Sequence, residues 1–209
     1  MFLKRRWNKL WRRNNFSIDP EVISNLIYKN YNEPNRKYHN MNHIEQCLKM
    51  FDKISHYLSY PDDLEIAIWF HDIILNDENA SADLCEIYMR AFDINRVRIE
   101  RMKKLILATK DHQKVTVNDY METKYMVDID LSILGQPEKI YKKYAKNVRE
   151  EFSQFSDEEF IKGRIAFLNK LLNKKIYISQ YFSNKFEISA MSNILTELKT
   201  LKNGEIYGT

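Results

Sequence analysis

Residues 61–74 read PDDLEIAIWFHDII. Pro61 stands where a helix accepts proline best, at its first position, because that backbone N–H has no partner within the helix anyway. Leu64, Ala67, Ile68 and Trp69 then carry an apolar helix into His71 and Asp72. A histidine next to an aspartate at the end of a buried helix needs partners. A charge withdrawn from water is costly, so it is paired, neutralised or bound to metal. The stretch therefore predicts a helical core with a polar site at the end of one helix. A His–Asp pair satisfied inside the core is the structural alternative.

The rest of the chain supports a helical reading. Only 4 Gly and 4 Pro occur in 209 residues, far below the roughly 12% usual for the two together. Tight turns and sheet corners need such residues, which argues against a β-sandwich or barrel. No glycine cluster exists to cradle a phosphate in the manner of a P-loop or Rossmann turn. Asp19-Pro20 predicts a helix start, with Val22, Ile23, Leu26, Ile27 and Tyr28 on its apolar stripe and an end before Pro34. Asn42 is the expected cap of the next helix. Further helices are predicted near 80–92, near 96–110, through Tyr141, Tyr144, Val148 and Phe152, and from about 185 to 202, stopping at Asn203-Gly204. Residues 76–80 and 111–122 read as loops, and Met126 to Leu134 as a short apolar segment. Ser156 to Glu159 has the form of a capping box, with Phe155 and Phe160 placed as a hydrophobic staple. Without a period-2 strand or an internal repeat, the chain reads as all-α, a single-domain helical bundle over residues 17–209.

Residues 1–16 form a basic amphipathic segment. Lys4, Arg5, Arg6, Lys9, Arg12 and Arg13 carry six positive charges without an acid among residues 1–13. The remainder holds 27 basic against 29 acidic residues, so the body gives no strong nucleic-acid signal. Leu3, Trp7, Leu10 and Trp11 share one helical face. The segment is either a helix docked by its tryptophans or an arm for phosphate or an anionic membrane. Cys47 and Cys85 lie in apolar stretches and form no CxxC pair, so they read as small core residues in a reduced compartment. Without a membrane-length apolar run or a secretory signal, a cytoplasmic location is the expectation.

Chemistry-bearing residues gather in three places. His39 and His43 enter one helix, His71 and Asp72 end another, and Asp128 and Asp130 lie among apolar residues further on. One divalent ion would satisfy His43, His71, Asp72 and one of the two later aspartates. Such a mixed nitrogen and oxygen set suits Mn, Co, Ni, Mg, Fe or Zn.

The order His, then His-Asp, then Asp on successive helices resembles the HD superfamily of metal-dependent phosphohydrolases, and within it a subgroup of predicted, uncharacterised members. The matching segments are RKYHNMNHI at 36–44, WFHD at 69–72, Glu78 with Ser81-Ala82, LATKDH at 107–112, DIDLSILG at 128–135, VREEF at 148–152 and Gly163-Arg164. They span about residues 20–200. The resemblance implies an HD-type helical domain with metal ligands His43, His71, Asp72 and Asp130. His43 is preferred to His39 because it begins the apolar helix. Asp130 is preferred to Asp128 because it precedes Leu131. Glu78 is implied as the acid that orients or deprotonates water, with Asp72 beside it in catalysis. Arg36, His39, Lys110, His112, Arg149 and Arg164 are implied as contacts to substrate phosphate; a surface or salt-bridged role is the structural alternative for the lysine and the arginines, a place behind the metal ligands for His39, and capping of the preceding helix for His112. The implied activity is hydrolysis of a small phosphoester, a nucleotide first among them, by water activated on one divalent ion. A metal- or nucleotide-binding regulatory protein without turnover and an HD-fold di-iron oxygenase are the alternatives. The latter needs two more histidines between His71 and Asp130, where only His112 stands. The partner implied is a phosphorylated small molecule; a homodimer is left open.

Overall fold

The computed structural model describes residues 2–16 and 19–207, and their regular structure is entirely helical. The chain divides into two compact units, Met1–Asp111 and His112–Thr209. The domain expected over 17–209 thus contains a division at 111/112, and residues 2–16 belong with the first unit. The expected boundary at 16/17 abuts residues 17–18, which lie outside those described.

The first unit holds α1 (Phe2–Arg13), α2 (Pro20–Tyr31), α3 (Met41–Ile54), α4 (Pro61–Phe70), α5 (Glu78–Ala91) and α6 (Arg96–Ala108). Its centre is α4, buried at every position from Asp63 to Phe70 and packed on α3, α5 and α6. Two of those positions are acids, and each is neutralised by two arginines. Glu65 takes Arg6 Nε at 2.7 Å and Arg13 Nη2 at 2.6 Å. Asp63 takes Arg98 Nε at 2.8 Å and also Arg101. The basic character of α1 is therefore partly inward business. Its apolar face is also spent inside the unit: Trp7 meets Trp69 edge-on at 5.5 Å, and Trp11 meets Phe92 at 4.7 Å. This is the docked-helix form of the N-terminal segment. Arg5, Lys9 and Arg12 face solvent.

Several boundaries differ from the sequence expectation. Asn40, not Asn42, caps α3, accepting from Asn42 N. The stretch 76–80 is only half loop, because Asp77 accepts from Ala80 N and starts α5 at Glu78.

The second unit holds α7 (Met121–Asp130), a 3-10 segment at Leu131–Gly135, α8 (Glu138–Glu151), α9 (Asp157–Leu172) and α10 (Gln180–Lys202). Here α7 and α10 begin about five residues before the apolar pattern suggests. The capping box at Ser156 and Glu159 is present. Phe155 stacks on Phe152, at 6.2 Å, and Phe160 lies beneath Arg149. α10 runs along the 3-10 segment, where Asn193 Nδ2 donates to Leu134 O and Gln136 O at 2.8 Å each. No helix among the described residues is long and apolar enough to cross a membrane.

Candidate metal centre

α3 and α4 bring His43 and His71 together. Their Nε2 atoms stand 3.1 Å apart, and Asp72 Oδ2 lies 3.1 Å from that of His71 and 3.3 Å from that of His43. Both imidazoles are buried. His71 Nδ1 is 2.9 Å from Ile68 O. A carbonyl only accepts, so Nδ1 holds the proton and a neutral His71 carries its lone pair on Nε2, toward the shared point. Asp72 Oδ2 is buried without a well-formed hydrogen bond. His71 Nε2 and Asp72 Oδ2 are then two acceptors 3.1 Å apart, an arrangement that needs a cation or the proton of His43 Nε2 between them. Burial opposes the charge on Asp72, but the electrostatic pull and hydrogen-bond contacts of the surrounding imidazoles outweigh it and hold the carboxyl well below the usual range.

Donors on one ion with bonds of about 2.0–2.2 Å stand roughly 2.8–3.6 Å apart, for angles from 90° to tetrahedral. The three separations fall in that interval, so His43, His71 and Asp72 fit a divalent ion. Cys47, one turn beyond His43 on α3, brings its Sγ to 3.6 Å from His43 Nε2 and 3.8 Å from Nδ1. The donor atoms of His43, Cys47 and His71 all lie within 4.8 Å of one another. The sequence reading placed Cys47 in the core. The signal for more was a histidine and a cysteine four apart, hence on one helix face.

The backbone of the His-Asp segment is fastened from three sides. Asp72 N donates to Tyr31 Oη at 3.2 Å. Ser81 Oγ accepts from Ile74 N at 3.1 Å. Arg36 donates to Asp72 O at 2.6 Å, Ile73 O at 2.9 Å, His39 O at 3.0 Å and Glu33 Oε2 at 2.9 Å. Four of the five guanidinium N–H donors are thereby spent. The sequence segments around Arg36 and Ser81 thus hold the site in place.

The other expected residues divide clearly. His39 is half-buried, its ring 5.6 Å from that of His43. Glu78 is the first residue of α5 and half-buried, with no ion pair or hydrogen bond from its carboxylate to another described residue. Lys110 is exposed. In the second unit, Asp130 ends α7 with Oδ2 2.9 Å from His112 Nε2. Asp128 is fully buried and spends both oxygens on Ile178 N and Ser179 N, at 2.9 and 2.7 Å. Burial pushes its carboxyl up to about 6, against those hydrogen bonds. Of the two aspartates, Asp128 is a fastener of the loop before α10.

Arg149 and Arg164 are likewise occupied. Arg149 joins α8 to α9 through Asp157 Oδ1, Phe152 O and Phe155 O. Arg164 is buried, with Nε 2.8 Å from Glu197 Oε1 and Nη1 3.1 Å from Tyr144 Oη. Tyr141 donates to the same Glu197. With Arg36, these guanidinium groups act as fasteners of the fold, and the phosphate role expected for the three is not carried further.

No family model, curated protein or solved structure matches the chain.

Proposed function

We propose that this protein is a metal-dependent phosphohydrolase of the HD type acting on a small phosphoester, a nucleotide first among them. One observation carries the metal part. Asp72 Oδ2, buried without a well-formed hydrogen bond, stands 3.1 and 3.3 Å from two imidazole nitrogens. The ordered resemblance to the HD superfamily supplies the reaction class.

Bound among these groups, a divalent ion supplies a Lewis acid and lowers the pKa of water from 15.7 toward roughly 7. The protein's part is to hold donors and move a proton. His43 and His71 offer Nε2, and Asp72 offers Oδ2. Tyr31, Arg36 and Ser81 fix the backbone that carries them, which limits reorganisation during the reaction. Glu78 takes the proton of the attacking water. Lys110 and His39 receive the phosphate oxygens. Asp130, the fourth ligand that the resemblance implies, is examined by Asp130→Ala, which should weaken metal retention. Full retention would confine the ligands to the first unit.

Phosphate release from a panel of nucleotides and other phosphoesters, with Mn²⁺, Co²⁺, Ni²⁺ or Mg²⁺, tests the activity. Release by the wild type, abolished in Asp72→Ala and reduced in Glu78→Gln with metal retained, is the expected pattern. A metal-binding protein without turnover is the second reading, favoured by the commitment of Arg36, Arg149 and Arg164 to the fold. Metal uptake with no release from any ester would establish it.

A further inference from the structure

We infer that the outer face of α1, with the groove beside it, is a docking surface for single-stranded nucleic acid. The surface stands apart from the metal centre, so the two readings succeed or fail separately.

The charge is local. Outside residues 1–13 the chain holds 27 basic against 29 acidic residues, yet α1 carries six cations. The acids that α1 meets are already matched. Arg6 holds Asp52 and Glu65, Arg13 holds Asp62 and Glu65, and Lys4 holds Glu21. Arg5, Lys9 and Arg12 are left over. All three are exposed and make no ion pair or side-chain hydrogen bond with another described residue. Spaced four and then three residues apart, they share one face of the helix. They cover about 10 Å of its axis. About three stacked nucleotides, at about 3.4 Å each, span that length with one phosphate for each cation.

Arg5 and Lys9 also border a groove between α1, the end of α3 and the start of α4, which Ser55, His56 and Pro61 help to line. His56 is exposed and pairs with the exposed Tyr57, their ring centroids 3.9 Å apart. Unpaired cations beside exposed rings are the combination that holds a single strand, with phosphates on the charges and bases on the ring faces. A membrane surface fits less well, because the face that would insert is spent inside the unit: Trp7, Leu10 and Trp11 are at most 2% exposed. The groove meets α3 at Phe51 and Ser55 and α4 at Pro61 and Glu65, whereas His43 lies in the first turn of α3 and His71 follows the last residue of α4. It therefore lies at the opposite ends of both helices from the metal centre.

The test is fluorescence anisotropy of a labelled oligouridylate with the full-length protein in EDTA, which keeps metal chemistry out of the reading. Three phosphate contacts predict a slope of log affinity against log salt of about −2, a loss of roughly 20-fold between about 50 and 200 mM. Arg5→Gln with Lys9→Gln and Arg12→Gln should flatten that slope and weaken binding about tenfold or more at the lower salt. Tyr57→Ala should weaken it at least about fivefold while keeping the slope. Removing the same charge from exposed positions of α8 and α10, by Lys139→Gln, Lys143→Gln and Lys199→Gln, should leave the affinity unchanged. All the altered residues are exposed, and an unchanged melting temperature checks that each variant folds. No binding by the folded wild type at the lower salt, equal losses in the two triple variants, or wild-type affinity in the α1 variant or in Tyr57→Ala overturns the proposal. So does capture by vesicles of phosphatidylserine and phosphatidylcholine with the oligonucleotide left free.

Discussion

Gly135 is the residue whose replacement the packing forbids most directly. A Cβ built there would meet Phe186 Cβ at 2.5 Å, the root of a side chain on α10, which no rotamer change can move away. Gly135→Ala should destabilise the second unit by about 1–3 kcal/mol, read from chemical denaturation. Gly163, inside α9, has nothing within 4 Å of such a Cβ. Gly163→Ala should instead stabilise by about 0.5–1 kcal/mol, through the smaller backbone entropy it loses on folding. Equal effects at the two positions would contradict this account. At the same scale, His71 and Asp72 were legible in the sequence because their polarity conflicts with the apolar run that carries them. Cys47 was not legible as a metal neighbour. A small apolar thiol fits a core helix, and nothing in the sequence tells that His71 of α4 arrives near it. The structural ties of Arg36, Arg149 and Arg164 were hidden for the converse reason: charge is visible in a sequence, but its commitment to Glu197, Asp157 or a carbonyl is not.

Among the elements, α8, α9 and α10 are tied by one buried polar group. Arg164 and Glu197 are 6% and 4% exposed at the side chain and lie 2.8 Å apart, with the hydroxyls of Tyr141 and Tyr144 alongside. Arg164→Ala should cost about 3–5 kcal/mol, because it leaves a carboxylate buried without its cation. The double variant Arg164→Met with Glu197→Leu should recover much of that loss. Unchanged stability in the single variant would contradict the structural role.

The capping box of α9 gives a pH signature. Backbone and side-chain hydrogen bonds from Ser156 lower the Glu159 pKa. Its folded value therefore lies below the unfolded value of about 4.3. The contribution is present above that pH and is lost as pH falls through the folded value. Ser156→Ala should move the Glu159 titration upward in an NMR experiment, and its stability difference from wild type should shrink in acid. An unmoved titration would contradict the box. This helix start was legible because the cap residues are specific. Those of α7 and α10 were not, since Tyr120 and Ser179 make no side-chain capping bond. The stripe of α10, Phe182, Phe186 and Ala190, was hidden in a polar stretch.

For the whole molecule, an all-helical chain follows from the scarcity of glycine and proline and from 3.6-residue periodicity. The division at 111/112 does not: it falls at a kink, where Asp111 leaves helical geometry between two short turns (φ −146°, ψ 80°), and the loop expected over 111–122 has no linker composition to mark it as a boundary. Everything functional depends on whether His43, His71 and Asp72 hold a cation. Elemental analysis of the folded full-length chain, dialysed after loading with Zn²⁺, measures that directly. About one ion per chain in the wild type, and its loss in His71→Ala, is the predicted result. A folded wild type that keeps no ion, or a His71→Ala variant that keeps it fully, would contradict the account.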